Sequence, residues 1–256
     1  MKICFIEQPS GLGDILLGSK IGTHFAKMGH RVIWPISPTY STLREHISTE
    51  GIEYFDMSTD YDYKREYEAF VNKELCEVYE DNNFIHVPTR RSFFSKAGKE
   101  IHVHDSHDAA NMHGKFAMCS LGYKDWQDYF EIIRNPEREE TLFENLRIER
   151  PYHLINKNFG TPPLWREVLN KNIAGSPLHQ RLDMFMDPRF SVFDWLKVFE
   201  KAVKIDTVST STFYLFEKID LECIPTIYSR NTNERNYNEN FGWLQALSRK
   251  NYLFIN

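Results

Sequence analysis

At 256 residues, 41% of them hydrophobic, the chain can build one large core or two small ones, and it contains no run of about 18 apolar residues that would cross a membrane as a helix. A formal net charge of −5 and a sequence pI near 6.1 argue against a protein whose main task is gripping nucleic acid, where a basic surface is the usual footprint. The four cysteines, Cys4, Cys76, Cys119 and Cys223, lack C-x-x-C spacing and read as buried thiols; with no basic-then-apolar leader visible, a cytoplasmic protein is expected.

Lys2 to Ile6 is a short apolar run rich in strand formers, Pro9 to Gly13 is a turn, and Ile15 to Met28 has helical periodicity. Gly11 and Gly13 let the backbone pass close to a bound group, and Asp14 falls in the first helical turn, at the carboxyl end of an expected parallel strand. Ligands of open α/β sheets sit there. Two cofactor motifs fail the test. A dinucleotide fingerprint needs a third glycine where Leu16 stands and an acid at the end of the second strand, which here ends Trp34-Pro-Ile-Ser. A phosphate loop needs Gly-Lys-Ser, and Gly18-Ser19-Lys20 has the wrong order.

The turn Gly11-Leu-Gly-Asp-Ile-Leu16 resembles the G-[IL]-G-D-[IVL]-L opening of the heptosyltransferase-like glycosyltransferases, family 9, which have the GT-B fold. The resemblance implies an α/β protein of two Rossmann-like domains facing a cleft. It also implies a nucleoside diphosphate sugar as donor substrate, no further cofactor, and Asp14 as general base beside Gly13 on the acceptor side. Read alone, Asp14 is equally an N-cap of an ordinary helix.

Further along, His30-Arg-Val-Ile-Trp-Pro is a second strand, Thr39 to His46 a short helix, and Ile52-Glu-Tyr-Phe a third strand, the alternation of a parallel sheet. Asp60-Tyr-Asp62 spells a D-x-D but precedes the charged, helix-like stretch 63–79, so its acids read as helix-start residues and no metal is assigned. Phe84-Ile-His-Val-Pro and Ile101-His-Val-His read as two more strands, joined by a stretch carrying Arg90, Arg91, Lys96 and Lys99. The polar cluster that follows holds His104, Asp105, His107, Asp108 and His113 without a metal-binding spacing. Asp105 and His107, at the carboxyl end of that strand, are candidates for holding an acceptor hydroxyl, and Asp108 for a helix cap. Asn135-Pro136-Glu137 opens a helix running to Leu146, with Asn as cap, Pro at the first position and acids in the first turn. The domain boundary is expected behind it, giving domains 1–148 and 149–256.

The second half restarts with the strand Tyr152-His-Leu-Ile-Asn and a turn, Lys157-Asn-Phe-Gly-Thr-Pro-Pro. In the resembled family the corresponding turn gives a Lys and a hydroxyl to the nucleotide phosphates, which points to Lys157 and Thr161. Ser191 to Val203 is an amphipathic helix, followed by a strand and the hydroxyl-rich turn Ser209-Thr-Ser-Thr212 at a helix start, then Cys223 to Tyr228 as a strand. The order parallels the family's D-T-G-x-x-H segment, so Ser209, Thr210, Ser211 and Thr212, with Arg230 beyond the next strand, are expected at the donor diphosphate. The Gly and His of that segment are missing, so heptose-specific recognition is not carried over. The chain is also short for two full halves, so a reduced second domain is expected, with a final helix, Phe241 to Ser248, packing back on the cleft.

The reading is a metal-independent, inverting glycosyltransferase whose partners are a nucleotide-sugar and a saccharide or other hydroxyl-bearing acceptor. Its rivals are a DNA-modifying glycosyltransferase acting on a hydroxylated base and a non-catalytic nucleotide- or sugar-binding module. Nucleic acid as a partner ranks behind the saccharide on charge.

Overall fold

The computed structural model describes residues 2–6, 8, 11–57, 84–87, 95–96, 99–100, 116–117, 119–149, 151–159, 167–185, 187–232 and 241–256. It divides into two compact units, Met1–Glu131 and Ile132–Asn256. Of the sequence expectations, Asp60–Asp62, the helix over 63–79, Arg90, Arg91, the strand at 101–104, Asp105, His107, Asp108, His113 and Thr161 lie outside the described residues.

In the first unit, β1 (Lys2–Ile6) has Ile3 to Ile6 buried on both faces, which is why it reads as a continuous apolar run rather than an alternating one. It pairs in parallel with β2 (His30–Ile36) and with β4 (Phe84–Val87), and β2 pairs in parallel with β3 (Ile52–Asp56), giving the order β3-β2-β1-β4. Helix α1 (Leu12–Lys27) starts earlier than the periodicity alone suggests, because the glycine turn itself supplies its first residues. It is buried on almost every side, including Ser19, Lys20 and Thr23. Those polar groups are matched: Ser19 Oγ donates to Ile15 O at 3.2 Å, and the Lys20 ammonium donates to Lys124 O and lies 5.2 Å from the centre of the Tyr129 ring. At Gly22 the helix packs tightly on the sheet, since a Cβ there would stand 2.5 Å from Ile52 Cδ1.

In the second unit, helix α2 (Pro136–Asn145) begins as the sequence indicates, with Asn135 Oδ1 accepting from Arg138 N at 3.1 Å. The sequence places the boundary behind this helix, whereas in the structure the helix lies within the second unit and its charges pair there. Arg138 makes a bidentate pair with the buried Asp194 at 3.0 and 2.9 Å, and Arg134 joins Glu139 and Glu200. The polar helix is thereby docked by ion pairs alongside a small apolar contact, with Leu142 buried and Phe143 edge-on to Tyr152.

The sheet contains β5 (Tyr152–Asn156), β6 (Gln180–Asp183), β7 (Lys204–Val208), β8 (Thr226–Tyr228) and β9 (Leu253–Ile255), all parallel, in the order β6-β5-β7-β8-β9. One face meets α3 (Leu196–Glu200), where the Tyr152 hydroxyl donates to Val198 O at 2.6 Å. On the other face Ile155 and Val208 pack with Phe159, Leu169 and Ile173. That face marks the reduction: in its described part, the crossover from β5 to β6 carries an antiparallel pair, Asn158–Phe159 with Glu167–Val168, where a doubly wound sheet places a helix. The helix expected near the C-terminus is α5 (Gly242–Leu247). The chain then returns into the same sheet as β9, an element the sequence reading did not anticipate.

Candidate functional site

In the first unit, Gly11 is the residue before α1, with φ +86°, a left-handed conformation that favours glycine. A Cβ on it would stand 2.9 Å from Asp14 Oδ2. The glycine therefore makes room for the Asp14 carboxylate itself, which folds back over the start of the helix. Asp14 occupies the third helical position, so Gly11, not Asp14, is the cap residue, and the N-cap expectation for Asp14 is corrected. The carboxylate is half-buried and Gly13 is buried. The loop feeding this turn is pinned from the next strand: the buried Trp34 of β2 donates Nε1–H to Gln8 O at 2.9 Å.

In the second unit, strand order reverses between β5 and β7, since the chain leaves β5 toward β6 on one side and then returns to β7 on the other. Such a switch point opens a crevice at the strands' carboxyl ends. Asn156 is in register with Thr207, so Lys157 and the Ser209 turn follow side by side. Arg230, beyond β8, reaches the same place: its Nε donates to Ser209 O at 2.7 Å and its guanidinium lies 5.8 Å from the Phe159 ring centre. Four of the positions expected at the donor, Lys157, Thr210, Ser211 and Arg230, are thus gathered at one point of the fold.

The four hydroxyls of the turn are not equivalent. Ser209 and Thr212 are buried, the Thr212 hydroxyl lying 3.4 Å from Thr207 Oγ1, whereas Thr210 and Ser211 are half-exposed and their side chains make no hydrogen bond among the described residues. Helix α4 (Thr212–Phe216) is only five residues long, so its dipole contributes less than the sequence reading expected. Asn156 and Thr207, which hold the turn from below, were not singled out from sequence; a polar residue closing the buried run Tyr152–Asn156 is the signal that marks the first of them. Among the described residues, no group of three or more His, Cys, Asp or Glu could hold a metal ion.

A second polar group lies inside this sheet, away from the switch point. His153 and Asp206 are both buried, with His153 Nε2 2.7 Å from Asp206 Oδ2 and Lys204 Nζ at 3.1 Å from the same oxygen. Ser176 N–H donates to His153 Nδ1 at 3.2 Å, so the ring proton sits on Nε2 and goes to Asp206. Burial pushes the Asp206 carboxyl up, but the bonds from His153 and Lys204 outweigh it and hold the group below the usual carboxylate range. Burial also raises the thiols, Cys119 to about 12 and Cys223 to about 11, which makes them poor nucleophiles.

No protein-family model matches the chain, and no curated protein gives a significant sequence match. Among solved structures it is similar to a glycosyl transferase family 9 protein from Veillonella parvula DSM 2008, at 11% identity and a TM-score of 0.46, over 89% of this chain and 80% of that one. It is also similar to the E. coli heptosyltransferase WaaC with ADP-2-deoxy-2-fluoro heptose, at 10% identity and a TM-score of 0.42, over 99% of this chain and 92% of that one.

Proposed function

We propose that the chain is a glycosyltransferase that moves a sugar from a nucleoside diphosphate donor to an acceptor hydroxyl without a metal ion. The observation that supports this most is the switch point of the second unit, where Lys157, Thr210, Ser211 and Arg230 meet at the carboxyl ends of β5, β7 and β8. Two cations and two hydroxyl donors match a diphosphate, and they would stabilise it as the bond between the sugar carbon and the phosphate oxygen breaks. In this reading Asp14 takes the acceptor proton while the new carbon–oxygen bond forms with inversion, Gly13 gives the acceptor close access, and Asp105 and His107 hold it. Thr161 is assigned to the donor side with Lys157.

Replacing Thr210 and Ser211 together by Ala is expected to weaken nucleoside diphosphate binding by a few kcal/mol at most, since hydrogen bonds to a charged partner contribute about 1.5–3 kcal/mol each and the cations and backbone amides remain in place. Calorimetry with unchanged affinity would take the hydroxyls out of the site. Turnover is expected to survive EDTA, since the cations supply the charge a metal would otherwise bring. A stoichiometric divalent ion whose removal abolishes turnover would reverse that assignment.

A further inference from the structure

We infer that Asn156 and Thr207 are positioning residues, whose buried hydrogen-bond hub holds the Thr210–Ser211 turn in the conformation that receives the donor's phosphates. The inference rests on the donor reading given above. A threonine hydroxyl has one proton and two lone pairs. Thr207 Oγ1 gives its proton to Val208 O at 3.0 Å and accepts from Asn156 Nδ2 at 3.1 Å. The remaining lone pair faces the Thr212 hydroxyl at 3.4 Å, which must then be the donor, because the Thr207 proton is already committed. Asn156 is fixed in its turn, its Oδ1 accepting from Asn158 N at 3.1 Å.

The hub therefore joins the end of β5, the end of β7 and the first residue of α4. All three side chains are 5% exposed or less, so water does not stand in for a lost bond. The near side of the turn is held as well: Ser209 N donates to Tyr228 O at 2.8 Å, and its carbonyl accepts from Arg230. Thr210 and Ser211 are the span between two anchored ends, with their hydroxyls uncommitted among the described residues. A turn held this way loses little freedom when a ligand arrives, and lower ordering cost is higher affinity.

Thr207→Val removes the hydroxyl at nearly constant shape, and Thr207→Ser keeps it. Calorimetry of the full chain with ADP, GDP, UDP, CDP and dTDP, and amide spectra of the ligand-free protein, give two independent readings. The Val variant is expected to bind the tightest of these nucleotides about tenfold more weakly and to shift the Thr210, Ser211 and Thr212 amide resonances, with Ser restoring both. A folded Val variant with unmoved amides, or with affinity within about twofold of the parent, overturns the inference. Should the Val variant fail to fold, Thr212→Val removes only the 3.4 Å contact and is read the same way. If none of the five nucleotides binds the parent protein, the donor reading fails and the ligand half of this inference with it, while the free protein's amide shifts still decide whether the hub shapes the turn.

Discussion

Asp14→Asn is expected to lower turnover by on the order of 10²–10⁴ while leaving the fold and donor binding close to the parent's, the range that a positioned general base contributes. The carboxylate sits at the third position of α1 against Gly11, so the smaller amide change does not disturb packing there. Losing a negative charge in the first helical turn costs about 0.3–1 kcal/mol of helix stability, too little to unfold a helix buried on almost every side. Steady-state kinetics with the identified donor and acceptor separate the roles. A general base lost to Asn lowers kcat with little change in the donor KM, whereas a purely structural Asp14 leaves kcat within about tenfold of the parent and moves the search to Asp105 and His107.

The second large effect is on stability. Asp206→Ala is expected to destabilise the second unit by about 1–4 kcal/mol, because it leaves the neutral His153 Nε2–H buried without an acceptor at the centre of the sheet and removes the half-exposed Lys204 pair as well. Asp206→Asn keeps an acceptor for that proton and loses the Lys204 ion pair, which is partly open to solvent, so a loss of about 1–2 kcal/mol is expected. Urea unfolding of the two variants beside the parent decides it, and equal midpoints for Ala and parent would mean that the sheet closes around the gap. The same group sets an acid limit. Because the folded Asp206 carboxyl lies below its unfolded value, its contribution is fully present above about pH 4 and is lost as pH falls through the folded value. Asp194 acts in the same direction: burial raises it, but the bonds from Arg138 and Ser191 prevail.

Strands β1 and β5 are legible because each is a buried run closed by a turn, the pattern of a central parallel strand. By contrast, β6 reads Gln180-Arg-Leu-Asp183, with only Leu182 buried; it is an edge strand made by pairing with β5, and nothing local announces it. The glycine turn and the hydroxyl turn are legible by type and order alone, which places each after a strand but does not say which hydroxyls face outward. That depends on Thr207 and Asn156, 51 residues apart and brought into register only by the sheet. His153 and Asp206 escape sequence reading for the same reason: Lys204 is a local partner of Asp206, but the pairing of Asp206 with His153 exists only across β5 and β7.

The order of strands in the second sheet has a consequence for synthesis. β8 lies between β7 and β9, and β9 begins 25 residues after β8 ends (253 − 228). At about 5–20 residues per second, the outer edge of Thr226–Tyr228 waits roughly 1–5 s for its neighbour. During that interval it presents unpaired N–H and C=O groups, the kind of edge onto which another nascent chain can add. The described strands of the first sheet, β1 to β4, are made by Val87, well before any of the described strands of the second has been translated. Crowded expression therefore endangers the second unit, and slower translation through the stretch 229–252 lengthens the hazard.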